Sequence, residues 1–376
     1  MENHENLYTT KEIFGQTILW GKVFEILKAQ KTDIANFLEP ILKIGNLRII
    51  LTGAGSSAFI GDAAQSIVER KTGKVTQSVP TTDITTHHGI FSSTQNPILL
   101  VSLARSGNSP ESHEVFQLAE EICTEVYHLI ITCDRNGKLA GCTTENPSRS
   151  YTLILPEEAN DKSLAMTGSF TSMLLCILLI WDINDIDTRG TSIANLISLG
   201  EAILNKPKLF MEIATIPFER VVFLGSGPHL GLARECHLKL QELTNGRIIC
   251  KFESFLGFRH GPRAVINENT LMVYLFSANP HVFKYEWDLV EDISKDPRQI
   301  RSVSFNSRPH LNVKNSVLIS TQDRDHDELD MVAAVIIGQL LGLYYSVQMG
   351  LNPDNPSTMG AISRVVQGVN IYKKEL

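Results

Sequence analysis

Apolar residues fall in short runs along the chain, each closed by small or polar residues. The run Leu47-Arg48-Ile49-Ile50-Leu51-Thr52 ends in Gly53-Ala54-Gly55-Ser56-Ser57, and residues 58–70 then carry a helical period. Strand, glycine turn, helix is the opening of a βαβ unit. Further short strands are predicted at Ile98–Leu103, His128–Thr132 and Tyr151–Leu155, with helices at Ser112–Cys123 and Ser169–Trp181. Such alternation predicts a mainly parallel sheet covered by helices on both faces. Residues 1–45 read as a helical arm ahead of it.

The pattern then restarts. Residues 220–227 (RVVFLGSG) repeat 48–55 (RIILTGAG), and 270–275 (TLMVYL) repeat 98–103 (ILLVSL), both at an offset of 172. One offset shared by two strands points to two α/β halves of one ancestral fold, roughly 46–195 and 205–365. The alternative is two unrelated α/β domains. The expected boundaries are 1–45 for the arm, 46–199 for the first domain and 200–376 for the second with its tail. The loops are not duplicated: the first half carries Arg105-Ser106-Gly107-Asn108-Ser109-Pro110, the second Phe276-Ser277-Ala278-Asn279-Pro280. A composite site is expected, with each half giving a different function.

Composition narrows the class. The 376 residues suit two to three domains or one two-lobed enzyme. With 43% hydrophobic and 20% charged residues the chain is an ordinary globular one. Its 34 Lys and Arg against 41 Asp and Glu give a net charge of −7, which argues against nucleic-acid or acidic-membrane partners but not against a small anion. Six cysteines without CxxC spacing suit free thiols in a reducing compartment. The N-terminus resembles no secretory signal, and the apolar run Met173–Trp181 is too short to span a bilayer. A cytoplasmic protein is the expectation.

Four stretches carry candidate chemistry. Ser102–Ser109 leaves a strand at its C-terminal end, where open α/β sheets bind ligands. Ser109 before Pro110 fits a helix N-cap with Pro in the first turn. Amides, helix dipole and hydroxyls there suit phosphate, and Ser56 and Ser57 lie in the analogous loop. A plain helix cap is an equally open reading. Gly53, Gly55 and Ala58 fit a dinucleotide fingerprint, but residues 73–80 lack the acidic residue that should hold the ribose, and a nicotinamide enzyme stays only as an alternative. Glu235, Lys239 and Glu242, at i, i+4 and i+7, share one helix face. They form either a solvated charge ladder or a proton-transfer site. His260, between Arg259 and Gly261-Pro262-Arg263, is an acid or base on a rigid loop, or a structural turn residue. The other histidines show no ligand spacing, and no metal is expected.

Together the stretches GAGSSAF (53–59), SLARSGNSPES (102–112), RECHLKLQEL (234–243) and FRHGP (258–262) resemble the sugar isomerase (SIS) domain family, in tandem. More narrowly, RIILTGAGSSAFIGD, SVPTTD, LGFRHGP and the tail motifs NPDNPS and RVVQGV resemble the galactosamine-6-phosphate deaminase/isomerase (AgaS-type) group, over about residues 35–370. The resemblance implies two flavodoxin-like, three-layer αβα domains and no cofactor. It implies that Ser57, Ser106 and Ser109 bind a sugar 6-phosphate, with Ser56, Arg105 and Asn108 nearby. Thr167 and Ser169 would contact the sugar. Glu242 would move a proton between C1 and C2, with Lys239 and Glu235 as helix-face neighbours, and His260 would open the sugar ring. It implies a homodimer or larger homo-oligomer in which His260 serves a neighbouring subunit's site. Arg364 stands where related synthases carry a lysine; an arginine stays protonated, so it suits charge stabilisation rather than an imine. Those synthases also need a glutaminase domain with Cys at position 2, and Glu2 stands here, so the degradative direction is expected. Plain aldose–ketose isomerisation, glucosamine-6-phosphate deamination and a non-catalytic sugar-phosphate-binding regulator stay as alternatives.

Overall fold

The structure, a computed structural model, describes residues 4–92, 95–142, 148–306, 316–320, 328–366 and 368–372. Helices α1 (Tyr8–Phe14), α2 (Gln16–Ala29) and α3 (Lys31–Leu42) open the chain. The first sheet holds β1 (Arg48–Thr52), β2 (Thr76–Ser78), β3 (Ile98–Ala104), β4 (Val126–Thr132) and β5 (Ser150–Ile154), all parallel, in the order β2-β1-β3-β4-β5. Between and after these strands lie α4 (Ser56–Thr72), α5 (Thr81–Thr86), α6 (Gly89–Ser92), α7 (Pro110–Ile122), α8 (Lys138–Gly141) and α9 (Gly168–Leu179). All seven residues of β3 and all twelve of α9 are buried, which explains the apolar character of β3 and of the second half of α9 from Met173 on.

Helices α10 (Gly190–Leu204) and α11 (Pro207–Ala214) lead to the second sheet: β6 (Arg220–Gly225), β7 (Ile249–Glu253), β8 (Thr270–Leu275), β9 (Arg301–Asn306) and β10 (Ser316–Ser320). It too is parallel, in the order β10-β9-β8-β6-β7, the same topology as the first. Its helices are α12 (Pro228–Leu243), α13 (Phe255–Phe258), α14 (Pro280–Ser294) and α15 (Met331–Gln348). The repeat extends to register: Arg48 pairs with Ile98 in the first sheet and Arg220 with Thr270 in the second, the same offset of 172. It extends to the turns: Gly55 before α4 has φ 55°, ψ −126°, and Gly227 before α12 has φ 56°, ψ −125°. Glycine adopts this positive-φ conformation without strain.

Two compact units result: Ile18–Asp161 with Gly168–Thr191 and Ile362–Leu376, and Met1–Thr17 with Lys162–Thr167 and Ser192–Ala361. Each contains one sheet. They do not follow the contiguous boundaries expected from sequence: the N-terminal helices divide between them, and the tail after Ala361 belongs to the first sheet's unit. Segments 168–204 and 328–348 are long and apolar enough to cross a membrane, but most of each is buried inside the protein, as core helices are. All six cysteines are free thiols.

In the first unit His128 of β4 is buried, with Nε2 2.9 Å from Glu120 Oε1 of α7 and its ring 4.0 Å from that of Phe116. Burial holds its pKa below the ordinary imidazole range, with Glu120 opposing the shift. The unfolded chain therefore binds this proton more tightly than the folded one. Stability should be fully present above the ordinary imidazole pKa of about 6.5 and fall as pH drops below it. Thermal midpoints at about pH 7.5 and 5.5 check this: the wild type should lose more on acidification than His128→Gln.

Candidate active site

The first unit gathers the hydroxyl-rich loops at the C-terminal ends of β1 and β3. Ser56 and Ser57 open α4 and are buried. A Cβ at Gly53 would lie 2.6 Å from Ser57 Cβ and 2.8 Å from the Leu103 carbonyl oxygen, so glycine is needed for the two loops to approach each other. In the second loop Ser106 Oγ accepts from Asn108 N at 3.3 Å, and Asn108 Oδ1 accepts from Lys138 N at 3.1 Å. Asn108 thus braces the loop from behind. Ser109 stands at the N-cap of α7 with Pro110 after it, as expected, but its hydroxyl makes no cap hydrogen bond. It shares a 2.6 Å hydrogen bond with Ser112 Oγ instead. Pro110 has no N–H and Ser112 N donates to the Ser109 carbonyl at 3.2 Å, so the Glu111 amide is the first-turn donor that the cap leaves open.

Arg105 and Arg364 have partners that spacing could not supply. Arg105 is buried, and its Nη2 donates to the backbone carbonyl of Arg364. The Arg364 guanidinium donates from Nε to the Asp161 carbonyl and from Nη2 to Asn160 Oδ1, each at 2.7 Å. Arg364 is thus engaged in fastening the tail to residues 160–161. Asp161, which sequence reasoning missed, is buried; its carboxylate accepts from Gly168 N at 3.0 Å, from Ser169 N at 2.9 Å and from the Ser169 hydroxyl. It satisfies the buried amides at the start of α9, which have no partner within the helix, and Ser169 turns its hydroxyl to Asp161. An Asp seven residues ahead of a helix matches no capping spacing, so no local signal could have found it.

The second unit carries the titratable residues. On α12 the expected face forms: Lys239 Nζ lies 2.7 Å from Glu242 Oε2 and 3.4 Å from Glu235 Oε1. The three differ sharply in exposure. The side chains of Glu235 and Lys239 are 0% and 1% exposed, and that of Glu242 is 21% exposed. Glu235 is therefore the inner partner of Lys239, out of reach of a ligand, and Glu242 is the one of the two carboxylates open to solvent. Its Oε1 has no hydrogen-bond partner among the described residues. Thr167 is fully buried, and its carbonyl accepts from Gln339 Nε2 of α15 at 3.4 Å. The Gln339 side-chain oxygen accepts from Gln16 Nε2 at 2.7 Å.

His260 follows α13 and is exposed. Its backbone N–H donates to the Gly257 carbonyl at 3.0 Å, and Gly261 beside it has φ 114°. Arg259 and Arg263 both reach Asp292 of α14, and the Arg263 guanidinium holds the Asp292 carboxyl below its usual range. No group of three or more His, Cys, Asp or Glu side chains is arranged to hold a metal among the described residues.

Serine-lined loops after β1 and β3 of one doubly wound sheet, together with a second sheet of the same topology whose unit carries carboxylates and a histidine, define a tandem sugar-isomerase architecture. The SIS domain family model matches residues 44–181, the first repeat. D-galactosamine-6-phosphate deaminase AgaS of Shewanella sp. strain ANA-3 is 39% identical over 97% of this chain and 92% of its own length, and the protein of that name from Escherichia coli is 36% identical over 97% and 95%. The crystal structure of tagatose-6-phosphate ketose/aldose isomerase from Escherichia coli superposes with a TM-score of 0.90 at 33% identity, covering 99% of this chain and 98% of that one. The chain belongs to the AgaS family of SIS-domain proteins.

Proposed function

We propose that this chain is a D-galactosamine-6-phosphate deaminase, converting galactosamine 6-phosphate and water to tagatose 6-phosphate and ammonia. The observation that carries the reading is the Lys239–Glu242 pair on α12: a buried ammonium fixes one oxygen of a carboxylate whose other oxygen is free to take a proton. The full-length likeness to proteins named for this reaction supports the substrate.

In this reading Ser57, Ser106 and Ser109 bind the 6-phosphate with the Glu111 amide in the first turn of α7, whose dipole favours an anion. His260 assists ring opening by moving a proton between the ring oxygen and the C1 hydroxyl. Glu242 removes the C2 proton of the open aldehyde, giving an enaminol, and returns it to C1. That leaves an imine at C2, which water hydrolyses to the ketose and ammonia. Arg105, Asn108, Arg364 and Ser169 hold the binding loops in shape, and Thr167 and Glu235 support from within. A second reading, plain aldose–ketose isomerisation, uses the same proton transfer on a substrate with a C2 hydroxyl and is favoured by the name of the Escherichia coli crystal structure.

The test is to incubate the pure protein with galactosamine 6-phosphate and glucosamine 6-phosphate and measure ammonia and ketose 6-phosphate. Ammonia from the galacto substrate is expected. Ammonia chiefly from the gluco substrate would keep the mechanism and change the substrate. No ammonia from either would sink the deaminase reading, and interconversion of aldose and ketose 6-phosphates would then favour the second.

A further inference from the structure

We infer that Asp292 is a positioning residue for His260, and that it works by clamping the loop on both sides of the imidazole. The inference rests on the reading of His260 as the ring-opening group. The His260 ring is exposed and has no hydrogen-bond partner among the described residues, so its direction is set by its loop alone. The base of that loop is well fixed. Ser254 Oγ accepts from Gly257 N at 3.0 Å, and His260 N donates to the Gly257 carbonyl at 3.0 Å. Beyond His260 the chain turns at Gly261 with φ 114°, and core anchorage resumes where Val265 and Ile266 pack into the apolar cluster; the residues between need anchorage of their own.

Two arginines supply that anchorage. Arg259 immediately precedes His260, and Arg263 lies three residues after it. Both direct Nη1 to the same oxygen, Asp292 Oδ2: Arg263 closely and Arg259 at 3.7 Å. One carboxylate therefore ties down the chain before and after the imidazole. The other end of the clamp does not move easily. Asp292 sits on α14 between Val290 and Ile293, which are buried in one apolar cluster with Phe255 and Phe258 of the helix that leads into the loop. The carboxylate and the loop it holds are thus referenced to a common core.

The pairs are partly exposed, and exposed ion pairs contribute little to global stability. Positioning is different, because a misplacement of about 1 Å can cost up to roughly a hundredfold in rate. Loss of Asp292 should therefore separate catalysis from folding. The experiment compares wild type, Asp292→Asn, Asp292→Glu, the single variants Arg263→Asp and Asp292→Arg, and the swap that combines those two. It measures kcat and KM on the sugar phosphate that the wild type converts, together with the thermal midpoint. Asp292→Asn should lower kcat by about tenfold with KM changed by less than about twofold and the midpoint nearly unmoved. Asp292→Glu should recover part of the rate, and the swap should exceed the product of its two single variants. Asp292→Asn with more than half of the wild-type kcat, or a rate loss matched by loss of folded protein, would overturn the inference. Amide exchange over residues 259–263 is measured in the same samples. If the wild type converts no sugar phosphate, the functional reading has failed; exchange that is still faster in Asp292→Asn at an unchanged midpoint would support the clamp, and unchanged exchange would overturn it.

Discussion

Glu242→Gln should lower kcat by roughly a thousandfold while leaving KM and folding close to those of the wild type; general acid–base catalysis is worth about 10² to 10⁴ in rate. The substitution keeps the shape and one carbonyl oxygen that can still accept from Lys239 Nζ, which lies 2.7 Å from Glu242 Oε2. It removes the ability to take a proton and give it back. Because the Glu242 side chain is 21% exposed, the uncharged amide still reaches solvent, and no buried charge is stranded on its account. Lys239 keeps Glu235 at 3.4 Å as its second partner. The expected signature is therefore specific: ammonia release lost, proton exchange at C2 with deuterated solvent lost, and the thermal midpoint within about 4 °C, since the amide oxygen still accepts from Lys239 and the change in one hydrogen bond is worth about 1 kcal/mol. Retained C2 exchange in the variant would move the proton-transfer role to another group. A large drop in the midpoint would mean that Glu242 is a structural partner of Lys239 instead.

The same helix shows what was and was not legible in the sequence. The strand–glycine–helix openings and the offset of 172 were readable because a parallel strand buried on both faces is locally distinctive, and a positive-φ turn demands glycine at the same place in each repeat. The spacing of Glu235, Lys239 and Glu242 correctly put them on one face. It could not say that the face runs from the core at Glu235 to solvent at Glu242, because that depends on which helix packs beside it. The partners of Arg105 and Asp161 were beyond reach for a related reason. Arg105 meets a carbonyl 259 positions further along the chain. Asp161 meets amides at the start of a helix it does not adjoin. Ser109 shows the opposite error: a good N-cap sequence whose side chain does not cap, because Ser112 offers its hydroxyl a nearer partner.

What fixes the depth of the α12 face is α15, through two glycines one turn apart. An ideal Cβ at Gly338 would stand 2.5 Å from Cys236 Cβ and 2.6 Å from Cys236 Cα; one at Gly342 would stand 2.7 Å from Leu243 Cδ1 and 3.0 Å from the Lys239 carbonyl oxygen. Backbone and Cβ atoms cannot swing aside, so a methyl group at Gly338 must push the helices apart. Two effects compete in Gly338→Ala. Alanine gains about 1 kcal/mol of helix propensity over glycine in a helix interior. Against it, overpacking in a closed core costs about 1–3 kcal/mol and sometimes more. The overlap is with fixed atoms on a helix that shares its most extensive contact with α15, so the packing cost should win. A net loss of about 2 kcal/mol corresponds to a drop of roughly 4–8 °C in the midpoint for a unit of this size. The activity loss should exceed the loss of folded protein, because the displaced segment carries Cys236 within one turn of Lys239 and two of Glu242. Adding Cys236→Gly removes the Cβ and Sγ that the new methyl group would strike but leaves the Cα at 2.6 Å, so it should recover only part of the activity while a second mid-helix glycine costs stability of its own. Gly338→Ala with wild-type midpoint and rate would show that α12 does not depend on this close approach, and that the reach of Glu242 to solvent is set elsewhere.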